Sequence, residues 1–261
     1  MTTSSRRRAF TLIELLVVIG VIGILIGLIL PALGSARTQA RQTLSLTNVR
    51  SIGQSFALYA DAHEVYPFPG KIDIDNASVP GDLYSMRWYA RDGEAIIAIS
   101  DVWPMATLWP ALVSDITPWE EAFEIWVSPG RDKSLPDVDL LTELEPQEVV
   151  SYEYSHSFLA RPRNWSDGAS ADPSLVAPTR PAGVRSPAGK VLLYDSDLTY
   201  RREQPGIVDG HYDALTPMAF ADGHGDVLSP LDAKPTTPNP LNGTDIRALH
   251  NTVEGIQGID Y

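Results

Sequence analysis

Residues 10–30 read FTLIELLVVIGVIGILIGLIL, an apolar run of 21 positions interrupted by one charge, Glu14. At 1.5 Å per residue a helix over this run spans about 31 Å, enough to cross the hydrocarbon core of a bilayer. A carboxylate at the centre of a membrane helix costs roughly 2.5 to 3.5 kcal/mol on insertion scales, so Glu14 needs a partner or a place near the interface. Upstream, Met1 to Ala9 form a short polar leader with Arg6, Arg7 and Arg8 side by side and the small residue Ala9 at its end. The arginines hold that end on the cytoplasmic side, and a small residue suits a peptidase acting there.

The basic leader, the small residue and the phenylalanine-led run with glutamate at its fifth position resemble the type IV prepilins and type II secretion pseudopilins. The resemblance implies removal of residues 1–9 by a prepilin peptidase, with the cut between Ala9 and Phe10 and methylation of the new Phe10 amine. Glu14 becomes the fifth mature residue and takes part in assembly. Pro31 becomes the twenty-second, where many such proteins carry a helix-loosening proline. Alanine before the cut departs from the family's usual glycine.

Two plainer readings fit less well. A secretory signal peptide has an apolar stretch of about 7 to 15 residues followed by a small-residue cleavage site, and Leu30-Pro31-Ala32-Leu33 is a poor one. A simple signal anchor fits the length but leaves Glu14 unexplained.

The sequence has 261 residues with 20 basic and 33 acidic side chains, a formal charge of −13. Loss of the three leader arginines leaves 17 basic residues and a charge of −16. Nucleic acid is therefore not an expected partner, since binding it rests on neutralising phosphates with Lys and Arg. There is no cysteine. An exported domain must hold together without disulfides, and thiolate zinc sites are excluded.

Beyond Pro31 the helical pattern continues. Ala36, Ala40 and Leu44 recur at four-residue spacing, then Val49, Ile52, Phe56 and Tyr59, which predicts one apolar stripe. A proline inside a helix loses one hydrogen bond and crowds the preceding turn, so Pro31 predicts a kink rather than an end. The expected organisation is a leader over 1–9, a long helix over 10–61 with its transmembrane part about 10–33, and a globular domain over 62–261. Gly20, Gly23 and Gly27 allow close approach of neighbouring helices, although glycine is common in membrane helices generally.

From Val65 onward short apolar runs are broken by Pro, Gly and Asp, a texture of strands and long loops. Lys190 to Tyr194 is the clearest strand. Val149 to Tyr154 and Pro217 to Ala221 follow, with Asp226 to Leu228 as a return strand. The stretches 160–187 and 231–242 read as loops. The fold class is thus α+β and pilin-like: a long N-terminal helix packed on a domain with an antiparallel sheet and long loops.

Tyr66-Pro67, Ser128-Pro129, Ser151-Tyr152 and Phe220-Ala221-Asp222-Gly223-His224 occur in that order. Their order resembles a branch of pseudopilin-like proteins with a C-terminal signature of histidine, nine residues and Asp-Gly. Here ten residues separate His211 from Asp222, and Ser128 stands where cysteine is frequent.

Asp209, His211, Asp213, Asp222, His224 and Asp226 have the ligand types of a metal site or an acid/base pair. Asp222-Gly223 is equally the composition of a tight turn, in which glycine supplies positive φ. Asp195 and Asp197, with Asp222 and Asp226, are calcium candidates because oxygen ligands abound; as a strand-end Asp-Ser-Asp the first two also read as a loop cap. Trp88, Trp103, Trp109, Trp119 and Trp126 cluster in one insertion and read as its core. No glycine-rich phosphate loop, nucleophile elbow or paired-histidine zinc motif is present, so no catalytic residue is assigned.

The expected function is a non-enzymatic subunit of a pilus-like or secretion filament, stored by one pass in the inner membrane with its C-terminal domain in the periplasm or on an extracytoplasmic filament. Its expected partners are the prepilin peptidase, other pilin or pseudopilin subunits, an inner-membrane assembly platform and membrane lipid. No cofactor is expected, calcium being the one candidate. The alternatives are an anchored envelope protein that binds a cation, glycan or exported substrate without polymerising, and a tethered hydrolase using the segment from His211 to Asp226.

Overall fold

The structure, a computed structural model, describes residues 12–72, 83–90, 93–99, 102–117, 119–131, 150–198, 200, 212–241 and 248–261. One helix, α1, runs from Leu12 to His63 with Pro31 inside it. Proline is accommodated without ending the helix because it removes only one backbone donor. The chain divides into two compact units, Met1–Arg41 and Gln42–Tyr261.

In the first unit the side chains of α1 from Leu12 to Leu30 are exposed and almost entirely apolar. By length and composition this helix can cross a membrane, with a mean hydropathy of 3.0 over its most apolar window.

The second unit begins inside the helix. Val49, Ile52 and Phe56 are completely buried, at the spacing that puts them on one face. Ala36, Ala40 and Leu44, read as the same stripe, are exposed, and burial starts at Ser45. Phe56 is the hub: its ring meets Trp109 edge-on at 5.4 Å and Tyr154 at 4.9 Å. Trp109 in turn meets Trp126 at 5.5 Å and donates its indole N–H to the Tyr152 carbonyl at 2.8 Å. The tryptophan-rich insertion thus feeds the core through Trp103, Trp109 and Trp126, all buried. It also holds three short helices, α2 (Met105–Leu108), α3 (Pro110–Val113) and α4 (Trp119–Trp126). Before them comes a three-stranded antiparallel sheet of β1 (Gly70–Ile72), β2 (Leu83–Ala90) and β3 (Gly93–Ile99), in that order.

The second sheet is a four-stranded antiparallel meander of β4 (Tyr152–Tyr154), β5 (Val191–Asp195), β6 (Thr216–Phe220) and β7 (Gly225–Leu228). All residues of β4, β5 and β6 are buried, so these strands are covered on both faces, while β7 is partly exposed. Strict alternation would send Val191 and Leu193 to the same side. The register instead shifts between them, and this bulge turns both Leu192 and Leu193 to the helix-side core while Val191 and Tyr194 face a second core with Met218, Phe220 and Leu249. Helix and sheet meet through small residues. A Cβ on Gly53 would stand 3.3 Å from Ala219 Cβ, and one on Gly225 would stand 2.5 Å from Arg50 Cγ. Pro217 lies in the interior strand β6, at a position paired with Val227 of β7 and with no residue of β5.

Candidate functional site

The N-terminal site begins on α1. Glu14 lies on α1, near the start of its described part. Pro31 follows at the far end of the apolar run. Ala9 and Phe10, the expected cleavage and methylation positions, lie outside the described residues.

A second constellation joins α1 to the sheet. Asp195, at the end of β5, is fully buried. Its Oδ2 accepts from the hydroxyls of Ser45 at 2.5 Å and Ser128 at 2.8 Å, and its Oδ1 accepts from the Leu198 N–H at 3.0 Å. The Tyr152 hydroxyl donates to Ser45 Oγ at 3.2 Å. Burial pushes the carboxyl of Asp195 up to about 6, against the opposing pull of those donors. Asp197 lies beside it, its Oδ2 accepting from Ser151 Oγ at 2.5 Å and from Arg131 Nη1 at 2.9 Å. It too is raised by burial, with Ser151 and Arg131 opposing. The Ser-Pro turn, the Ser-Tyr strand and the Asp-Ser-Asp strand end, separate in the sequence, therefore meet at one network. Sequence reasoning missed Ser45 and Arg131. The signal for Ser45 was its place one turn before Val49 on the buried stripe.

Asp222 and Gly223 form the tip of the β6–β7 hairpin. Gly223 has φ +88°, and its N–H donates to the Phe220 carbonyl at 2.9 Å. Asp222 Oδ1 accepts from the His224 N–H at 3.0 Å and lies 2.6 Å from its Nδ1, while the His224 ring stacks on Phe220 at 4.3 Å. Slight burial raises the Asp222 carboxyl, but the bonds from His224 outweigh it and hold the group below the usual carboxylate range. Asp226 accepts from the Val227 N–H at 2.7 Å. Among the described residues no three His, Asp or Glu side chains are gathered as a metal ion requires; Asp209 and His211 lie outside them. Beside the hairpin a groove of about 300 Å³ runs between α1 and the sheet, lined by Gly53, Ala57, Ala60, Asp61, Leu192 and Asp222.

A further polar cluster was not foreseen. His250 accepts the His156 N–H on Nδ1 at 3.2 Å, which leaves the proton of a neutral ring on Nε2, 2.6 Å from Glu153 Oε2. The Tyr194 hydroxyl donates to the same oxygen at 2.9 Å. With Tyr194 and His250 fully buried, this set fastens β4 and β5 to the chain around His250 and presents no face to a substrate.

The comparisons with known proteins agree with the N-terminal reading. Residues 4–30 match the family model of the prokaryotic N-terminal methylation motif. No curated protein and no solved structure matches the chain. The motif supports a type IV prepilin/pseudopilin-like protein. It implies processing by prepilin peptidase and assembly with other pilins, and points to a structural protein rather than an enzyme. Together with the apolar helix it fits a single-pass inner-membrane protein.

Proposed function

We propose that this type IV prepilin/pseudopilin-like protein is a structural subunit of a type IV pilus-like filament or a type II secretion pseudopilus. A prepilin peptidase removes Met1 to Ala9, the Phe10 amine is methylated, and the subunit is stored in the inner membrane until an assembly platform extracts it. The observation that carries the reading is Glu14, the one charge in an apolar run of membrane length that follows a basic leader ending in Ala9. Arg6 to Arg8 on the cytoplasmic side direct the domain after α1 to the periplasm. In the filament core the Glu14 carboxylate meets the Phe10 amine of a neighbouring subunit, since opposite charges attract far more strongly there than in water.

The test is the mature N-terminus of the native protein. N-terminal peptide mass analysis should find methylated Phe10, in sheared filaments as well as in membranes. A retained leader in cells that contain a prepilin peptidase would overturn the proposal. The groove beside α1 favours one rival, an anchored envelope protein that binds a ligand without polymerising. Processed protein found only as membrane monomers would support that rival.

A further inference from the structure

The end of the chain is pinned against the start of β5. The Asp260 N–H donates to the Gly189 carbonyl at 2.8 Å, and the Lys234 N–H donates to the Asp260 carbonyl at 2.8 Å. A Cβ on Gly189 would fall 2.6 Å from Ile259 Cγ1 and 2.9 Å from the Tyr261 carbonyl oxygen, so a side chain there would block this approach. Inside that frame Lys190 is fully buried and Asp260 nearly so. Lys190 Nζ stands 3.2 Å from Asp260 Oδ2 and 3.4 Å from Oδ1. The Thr252 hydroxyl bridges the pair, accepting from Nζ and donating to Oδ1 at 2.5 Å. On the other side the Val191 N–H donates to Oδ2 at 2.8 Å. The Phe158 ring, 5.8 Å from Nζ, adds an apolar wall.

We propose that Lys190 and Asp260 are the partners of an intramolecular isopeptide bond that ties the C-terminus to β5. Burial lowers the pKa of the Lys190 ammonium, against the pull of Asp260. Transfer of its proton to Asp260 replaces a buried ion pair by a neutral amine facing a neutral carboxylic acid. The amine lone pair attacks Cγ and the Nζ–Cγ bond forms. Oδ2 takes the developing negative charge and is held by the Val191 N–H, the placement an oxyanion requires. A proton leaves Nζ through the Thr252 hydroxyl to Oδ1. The Cγ–Oδ1 bond then breaks and Oδ1 departs as water, carrying one proton from the acid and one from the amine. No oxidant or cofactor enters the balance. Backbone bonds on both sides of the pair hold the reacting atoms in place, which supplies the orientation such a condensation needs. In a chain without cysteine the bond closes a loop across 70 sequence positions, as a disulfide would.

The full chain, purified in detergent and unfolded, should weigh one water less than its sequence requires for the N-terminus it carries. Proteolysis should yield a branched peptide joining the Lys190 segment to the segment holding Asp260. Asp260→Asn removes the carboxylate that takes the Lys190 proton and should leave the chain unlinked, and Thr252→Val should raise the unlinked fraction. The wild-type map decides the matter even if a variant folds poorly. Full mass with Lys190 in a linear peptide overturns the proposal. So does a missing water that maps to Asp222-Gly223 as a succinimide.

Discussion

The hydroxyl of Ser45 on α1 donates to the fully buried carboxylate of Asp195, 150 residues away in the sequence, at 2.5 Å. A hydrogen bond to a charged group contributes about 1.5 to 3 kcal/mol, and this one ties the helix to the strand end within a network that Tyr152 and Ser128 complete. Ser45→Ala should therefore destabilise the Gln42–Tyr261 unit by about 2 kcal/mol in denaturant melts. Ser128→Ala, which removes the second hydroxyl donor to the same Oδ2, should couple to it because both act on one carboxylate. Additive effects in the double variant would show that the two serines do not share the charge. The fragment must start at Gln42, since one starting at Val65 would strip Val49, Ile52 and Phe56 from the core.

Asp195 also sets a pH dependence. Its folded pKa, about 6, lies above the ordinary 3.8, so between these values the native state keeps a proton that the unfolded chain has released. The group's contribution is thus fully present below the unfolded value and is lost as pH rises through about 6. Two pKa units correspond to about 3 kcal/mol. Asp195→Asn should lose this component: the stability difference between wild type and variant should shift in the variant's favour from pH 4 to pH 7. A difference that stays flat over that range would contradict the assigned burial.

What the sequence made legible was local. The spacing of Val49, Ile52 and Phe56 announced a buried helix face, and the apolar run at Lys190 to Tyr194 announced a strand, because each pattern repeats with the period of its own backbone. The bulge at Leu192 was not legible, since a continuous apolar run looks the same with or without a register shift. Nor were the partners of the buried polar groups. Ser45 with Asp195, Glu153 with His250 and Lys190 with Asp260 are each separated by 70 residues or more, and nothing in local composition encodes which distant donor will arrive. Asp195 and Asp197 could be read as a strand-end cap or as cation ligands. The structure supplies the serine and arginine donors that occupy their oxygens.

Glu14→Ala should leave membrane insertion intact, because the change makes the segment more apolar. Incorporation into filaments should fall sharply when the variant is the sole subunit, with leader removal unaffected. Shearing yield measured against total membrane protein separates the two effects. Normal filament yield would sink the proposed pairing with the Phe10 amine. Replacing Ala9 with a bulky charged residue should instead block the cut itself, visible as a heavier protein that retains its leader.

At the β6–β7 hairpin Gly223 holds φ +88°, a conformation that β-branched residues resist. Nothing lies within 4 Å of the Cβ it would carry, so the cost of substitution is one of backbone strain and not of collision. Gly223→Val should destabilise the Gln42–Tyr261 unit by about 1 to 3 kcal/mol, and Gly223→Asn by clearly less, because asparagine tolerates positive φ. His224→Ala should cost less than the valine change, as its ring lies on the exposed side of the turn and its pairing with Asp222 is screened by solvent. The same melts, run with chelator, calcium and zinc, test whether the acidic residues serve a metal. A ligand that binds only the native state raises the melting temperature by mass action. We expect no response to zinc or to chelator, since Asp195, Asp197 and Asp222 already accept hydrogen bonds from the protein itself. A rise with zinc that disappears in both His211→Ala and His224→Ala would overturn the structural reading of the hairpin and revive a catalytic one.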